Sequence, residues 1–153
     1  MTWQMRTFAV GGLWAVGFGA NSDLLLVISV NGRGVFDCVS GERVARDPSD
    51  DDAYDEDSET AAGIGPLAGA RIEICGANGG IVTRRRLPLT THDGWVVAKT
   101  DEMIVLRAEH AEWTTIAEVE ELSAIGFSPT GRSLVAAESH TLHVWSRSVG
   151  DLR

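Results

Sequence analysis

The chain has 153 residues, of which 44% are hydrophobic and 23% charged, and its formal net charge is −9. This composition supports one domain with a hydrophobic core, and the length excludes a barrel enzyme of about 250 residues. Eight acidic residues and no basic residue lie from Asp47 to Glu59, so the rest of the chain is almost neutral at −1. Because phosphates repel an acidic block, we predict no nucleic-acid partner and favour a basic protein.

The first clear strand signal is a hairpin. Leu24 to Val30 reads LLLVISV, and Asn31-Gly32 separates this run from Arg33 to Cys38. An Asn-Gly pair between apolar runs is the strongest short-range hairpin signal, since both loop residues of such a turn adopt positive φ. The pattern therefore predicts two antiparallel strands with a two-residue loop.

Short apolar runs bounded by turn residues continue to the end of the chain. They are rich in β-branched and aromatic residues. The stretch from Trp113 to Val119 lies in a region with a helical period, but its residue types favour a strand. We expect strands at residues 71–75, 81–87, 95–100, 103–108, 113–119, 134–138 and 142–145. The fold class predicted is all-β with less than roughly 15% helix, well below the usual content. Residues 1–153 are interpreted as a single β domain with an acidic loop insertion at about 47–70.

An internal repeat supports this fold class. Residues 13–36 align without a gap on residues 122–145, and both copies carry Ala, Val or Ile, Gly and Phe in succession. An apolar run, a turn and a strand that ends in an aromatic residue follow in each copy. We therefore expect six residues to be buried in two related sheets: Phe18, Phe127, Val35, Val144, Phe36 and Trp145.

Two segments of the chain resemble the blades of WD-repeat propellers. Residues 124–137 read AIGFSPTGRSLVAA and are followed by LHVW at 142–145, while Phe36-Asp37 stands where the family has its Trp-Asp pair. The resemblance covers residues 13–41 and 122–147, and Asn31 and His140 replace the aspartate usual in the preceding turn. It implies a small irregular propeller-like fold, or stacked antiparallel sheets, that presents a binding surface. The chain holds roughly three blades at the usual repeat length, and an open stack leaves strand edges unpaired. We therefore expect either a closed fold that an N-terminal strand near Trp3–Val10 seals, or a homodimer.

The acidic block and one tryptophan are the candidate partner-binding residues. An aromatic side chain among acids, and a tryptophan outside the repeat, are typical contacts for a basic partner. The candidates are Asp50, Asp51, Asp52, Tyr54, Asp55, Glu56, Asp57 and Trp113. A solvated loop and a calcium site are the alternatives. An EF-hand counted from Asp50 fails, because its sixth and twelfth positions hold Asp55 and Ala61.

No catalytic, cofactor or metal motif is predicted. Ser128 lacks the spacing of a nucleophile elbow, and the glycines at 76–80 lack the spacing of a phosphate-binding loop. His140 and His143 fall on opposite faces of a strand, and neither cysteine lies in a CxxC motif. Residues 84–86, all arginine, are expected to meet the acidic block within the same molecule.

These observations predict a non-enzymatic protein-binding module. Its size and charge are similar to those of bacterial immunity proteins that neutralise basic toxins. No run of 18 uncharged apolar residues is present, so we expect a cytoplasmic protein without membrane attachment. The alternatives are a subunit that completes a larger propeller by oligomerisation, and a small hydrolase whose site carries no motif.

Overall fold

The computed structural model describes residues 3–49, 54–78 and 81–148. Its strands pair antiparallel throughout, and the described residues contain one short 3₁₀ helix, η1, at Gly65–Leu67. The predicted all-β class is confirmed. The strands are β1 Gln4–Ala9, β2 Leu13–Phe18, β3 Leu24–Ser29, β4 Gly32–Asp37, β5 Glu42–Asp47, β6 Tyr54–Asp55, β7 Thr60–Ala62, β8 Arg71–Glu73, β9 Cys75–Asn78, β10 Ile81–Val82, β11 Val96–Thr100, β12 Met103–Arg107, β13 Thr114–Glu118, β14 Leu122–Phe127, β15 Ser133–Glu138 and β16 Thr141–Ser146.

These strands form four sheets. Sheet 1 has the order β6-β7-β8, and sheet 2 has the order β10-β9-β2-β3-β4-β5. Sheet 3 has the order β1-β16-β15-β14, and sheet 4 has the order β11-β12-β13. Most neighbours within a sheet are consecutive in the chain, which is the simplest way for short strands to pair.

The hydrophobic core lies in three layers between successive sheets. One layer joins sheets 1 and 2 around Leu26 and Ile72, a second joins sheets 2 and 3 around Val27 and Val135, and a third joins sheets 3 and 4. Among the described residues no such layer joins sheet 1 to sheet 4. Sheets 2 and 3 are therefore covered on both faces, which explains why β3 and β15 are almost continuously apolar.

The repeat in the sequence is a repeat in the structure. Each of β2, β3 and β4 has a counterpart 109 residues later in β14, β15 and β16, with the same bounds. The register is also the same, because Leu25 pairs with Phe36 and Leu134 pairs with Trp145. A register shift occurs after the first residue of β2 and of β14 alike. Of the six residues expected to be buried, five are, and Phe18 is half-buried.

The first hairpin is displaced by one residue from its prediction. Ser29 pairs with Gly32, so the two-residue loop is Val30-Asn31 and Gly32 begins β4 with φ +119°. A side chain on Gly32 would collide with the carbonyl oxygen of Asp47 on the neighbouring strand. The glycine at the start of β4 is therefore favoured both by its positive φ and by the close approach of the neighbouring strand.

The fourth strand of each repeated sheet comes from a different part of the chain. In sheet 2, β5 follows β4 directly and pairs with it. In sheet 3 the corresponding place beside β16 is taken by β1, from Gln4 opposite Ser146 to Ala9 opposite Thr141. The expected N-terminal strand is present and covers one edge of sheet 3, but among the described residues it does not join the four sheets into the expected closed fold.

The segment predicted as an acidic loop insertion at 47–70 contains regular structure in its described part. It includes β6, β7 and η1, and Ala61 and Leu67 are buried against sheet 2. These apolar residues are spaced too sparsely among the acids to give a strand pattern in the sequence. Within the described residues, no helix is long and apolar enough to cross a membrane.

Candidate functional site

Of the candidates in the acidic block, the first three cannot be placed and Tyr54 can. Asp50, Asp51 and Asp52 lie outside the described residues. Tyr54 is half-buried, and its ring makes an edge-to-face contact with Trp14, with centroids 5.1 Å apart. Tyr54 therefore packs against the layer between sheets 1 and 2.

The next residues form a tight turn between β6 and β7. The Asp55 carboxylate accepts hydrogen bonds from the backbone N–H groups of Asp57 and Ser58, at 2.9 and 3.3 Å. The bonds from Ser58 and Asp57 hold the pKa of Asp55 below its ordinary value. Glu56 and Asp57 are exposed beside it. Asp55 shapes the turn, while Glu56 and Asp57 present their charge to solvent.

The last acid of the block meets the arginine cluster inside the molecule. Glu59 is buried, with φ +54°, and its Oε2 accepts the backbone N–H of Arg84 at 2.8 Å. Arg84 and Arg85 also donate to the backbone carbonyls of Asp57 and Ser58. The expected contact between the arginines and the acidic block is confirmed for these described residues.

Trp113 lies on a different surface, the face of sheet 4 that points away from the core. Strand β12 alternates, so that Ile104 and Leu106 enter the core while Met103 and Val105 face outward. A groove of about 890 Å³ opens on this outward face. Its lining residues are Ala98, Thr100, Asp101, Glu102, Met103, Val105, Trp113, Thr115 and Glu118. We call this feature the sheet 4 groove.

The sheet 4 groove combines exposed apolar side chains with a negative rim. Trp113 is 45% exposed and Met103 is 42% exposed. Three carboxylates and no basic side chain line the groove. The Arg107 guanidinium, which is not part of the lining, lies 4.6 Å from the centroid of the Trp113 ring. The Trp113 indole thus already makes one cation–π contact, and its exposed part can make a second one.

No contact brings the two groups of candidates together in the described part of the chain. Tyr54, Asp55 and Asp57 share one turn, while Trp113 precedes β13 in sheet 4. Met103, Val105, Asp101, Glu102 and Glu118 were not predicted as site residues. The period-2 alternation of β12 was the available signal, because it places Met103 and Val105 on the face opposite to Ile104 and Leu106.

Comparisons with known proteins do not assign the chain to a family. No family model matches the sequence, and no curated protein matches it significantly.

The polar clusters away from the groove are structural. Nη1 and Nη2 of Arg147 donate to the Asp93 carboxylate at 2.7 and 2.9 Å, and the guanidinium lies against the rings of Trp3 and Trp95. The bond from Arg147 is the main cause that lowers the pKa of Asp93 to about 2. This cluster, the Arg147 clasp, joins the segment before β1, the turn before β11 and the end of β16. Its members are too far apart in sequence to be predicted.

The residues with nucleophilic or metal-binding side chains have ordinary roles. Ser128 closes the turn after β14, accepting the backbone N–H of Ser133 through its hydroxyl at 3.2 Å. Nε2 of His143 lies 2.6 Å from Oε2 of Glu138, and its ring stacks on Trp145. In the described part of the chain, no three His, Cys, Asp or Glu side chains are grouped to hold a metal ion.

Both cysteines are buried free thiols. Desolvation by burial raises the pKa of Cys38 far above its ordinary value, and it is also the main cause that raises the pKa of Cys75 to about 11. Each thiol is therefore protonated at neutral pH, which disfavours nucleophilic or redox chemistry.

Proposed function

We propose that this protein is a non-enzymatic protein-binding module whose sheet 4 groove receives a basic partner. The carrying observation is the combination of exposed Trp113 and Met103 with three carboxylates and no base in one groove. Interface hot spots favour tryptophan, and acidic rims accelerate the approach of basic proteins. The partner contributes an arginine or lysine to the exposed surface of the Trp113 ring, a contact of the kind that Arg107 makes within this chain.

The acidic segment adds a second, longer-range contribution to this proposal. Glu56 and Asp57 are exposed, and the block holds most of the net charge. Charge outside the groove is expected to raise the association rate more than it lowers the dissociation rate. A basic toxin is the finer proposal for the partner, which would make the protein an immunity protein.

The test starts with capture of binders from the native host and ends with measured affinities. Trp113→Ser is expected to weaken binding of the captured partner at least ten-fold, since a buried tryptophan anchor is lost. Val30→Ser is the matched control, because Val30 is 62% exposed and lies outside the groove. Equal affinity of wild type and Trp113→Ser would contradict the proposal.

The charges are tested separately. Replacing Asp101, Glu102 and Glu118 by Asn and Gln is expected to slow association and flatten its salt dependence. The same change at Asp50, Asp51, Asp52, Asp55, Glu56 and Asp57 should slow association while the melting temperature stays nearly constant. If both variants retain the full salt dependence of the association rate, the acidic surfaces do not contribute to binding as proposed.

Self-association is the second candidate, favoured by the open row of sheets. Among the described residues no core layer covers the outer face of sheet 4. A second copy seated there would make the protein a subunit of a larger propeller-like assembly, a proposal that the matching registers of sheets 2 and 3 support. Sedimentation at several protein concentrations tests this. A dimer that Trp113→Ser dissociates would support it, and a monomer at every concentration would exclude it.

A further inference from the structure

A second cavity, separate from the sheet 4 groove, lies where β9, β11 and β14 approach one another. Its volume is about 530 Å³, within the range of small-molecule sites. The segment between β10 and β11 closes it on one side. Ala98 lines both this cavity and the sheet 4 groove. We call this second feature the β9–β14 cavity.

The walls of the β9–β14 cavity are mainly apolar. They include Leu87, Leu122, Ala124 and Ile125, and Val82 lies at an exposed part of the lining. Val82 is 59% exposed although it is a large aliphatic residue. An apolar body of a ligand would therefore replace water against aliphatic side chains.

The charged residues of the lining all have one sign. Arg85, Arg86 and Lys99 line the cavity, and no carboxylate does. Arg85 is neutralised by Glu73, with Nη1 3.1 Å from Oε1. Arg86 and Lys99 have no carboxylate within ion-pair distance among the described residues. Their donors reach backbone carbonyls instead, Arg86 those of Thr83 and Arg85, and Lys99 that of Asp101.

Arg86 and Lys99 are exposed beside the cavity in a protein with a net charge of −9. Carboxylates are plentiful on this chain, yet none lines the cavity, so the positive charge stays available to an incoming group. Cys75, also in the lining, is a protonated thiol, so the cavity holds no nucleophilic thiolate. The lining therefore offers apolar and cationic contacts but no reactive thiolate.

We propose that the β9–β14 cavity binds an amphipathic anion, an aliphatic chain with one carboxylate, whose chain lies against Leu87 and Ile125 and whose head group meets Arg86 and Lys99. The aliphatic chain matches the walls, and the single negative charge matches the two cations that lack carboxylate partners. This site is independent of the proposed protein partner.

The experiment titrates decanoate, below its micellar concentration, into ¹⁵N-labelled protein and follows the amide resonances. We expect saturable shifts at Ala77, Lys99 and Ser123, with smaller shifts at Thr115 and Glu118 in the sheet 4 groove. Decylammonium, of the same length and opposite charge, should bind at least ten-fold more weakly. No shift at the cavity amides, or equal affinity for the two compounds, would overturn the proposal.

Variants separate the head group from the chain. Arg86→Gln with Lys99→Gln should weaken decanoate at least ten-fold, because charge-assisted hydrogen bonds are lost, and should leave decanol binding unchanged. Arg46→Gln removes an exposed arginine that lies outside the cavity, and it is expected to bind decanoate like wild type. A double variant that is folded, as judged by circular dichroism, and that keeps the wild-type affinity for decanoate would also overturn the proposal.

Discussion

At the scale of single residues, Arg147 is a buried cation that pairs with the carboxylate of Asp93. Its side chain is fully buried, and the partner carboxylate of Asp93 is 32% exposed. Replacing Asp93 takes a carboxylate away from a buried guanidinium, which is costly even where other contacts remain. Asp93→Asn is expected to destabilise the protein by roughly 2–4 kcal/mol. Chemical denaturation at pH 7 measures this, with Asp101→Asn, an exposed turn aspartate, as the control.

The same pair predicts how stability depends on pH. The pKa of Asp93 is lowered to about 2 in the folded protein, from an ordinary value of 3.8. A lowered folded pKa contributes stability above the unfolded value that disappears as the pH falls through the folded value. The stability difference between wild type and Asp93→Asn should therefore narrow between pH 4 and pH 2. A difference that stays constant over this interval would show that the charge of Asp93 is not what stabilises the clasp.

Tyr54 illustrates how a residue suited to binding is used in packing. Its edge-to-face contact with Trp14 predicts that Tyr54→Ala lowers stability by about 1–3 kcal/mol, less than for a fully buried ring. Glu56→Gln, two residues away and exposed, should change stability by no more than about 0.5 kcal/mol. Thermal denaturation compares the two variants. Equal melting temperatures would mean that the Trp14 contact contributes nothing to stability.

At the scale of elements, β1 has the most distant partner in the chain. It supplies the fourth strand of sheet 3, and Phe8 packs on Phe36 with ring centroids 4.8 Å apart. Deleting residues 1–9 also removes Trp3 from the Arg147 clasp. We expect the melting temperature to fall by more than about 10 °C, since several kcal/mol are lost and each is worth 2–4 °C at this size.

A peptide of residues 1–11 provides the control for that deletion. Added in excess, it should restore much of the lost stability, because it can pair with β16 as β1 does. A truncated protein that melts with wild type would show that β1 contributes little. A truncated protein that the peptide fails to stabilise would show that pairing alone does not hold the strand.

The elements that could be predicted are those with a buried apolar face. Strands β3, β12 and β15 carry branched apolar runs, and the repeat predicted both triplets of strands at the right offset. Strand β5 reads ERVARD and is mostly exposed, so no hydrophobic period marks it. The short strands β6 and β7 depend on a few contacts with sheet 2, which lie outside any local pattern.

The candidate site was predictable only in part, for a related reason. Trp113 is visible in the sequence as an aromatic residue outside the repeat, but its surroundings depend on which face of sheet 4 is covered. The β9–β14 cavity assembles residues from four separate segments, and no short motif contains them. Surfaces made by sheet packing are decided by long-range contacts, which periodicity does not report.

For the whole molecule, the row of four sheets predicts a gradient of local stability. Sheets 2 and 3 have core layers on both faces, whereas sheets 1 and 4 have one described layer each. Amides that are buried on both sides open only in the largest unfolding events. Hydrogen exchange should be slowest in β3 and β15 and faster in β7 and β12. Equal protection across the four sheets would contradict the open row.

The pairing of β1 with β16 has a consequence for synthesis of the protein on the ribosome. Sheet 2 gains its β2–β5 meander early, but β1 emerges before any of these strands and has no partner among them. All of β2–β15 must be translated before β16 emerges, which takes on the order of ten seconds at typical ribosomal rates. Throughout that interval β1 lacks its strand partner, so it pairs late although it is translated before β2–β16. Chaperones that shield extended segments would find their longest-lived target there.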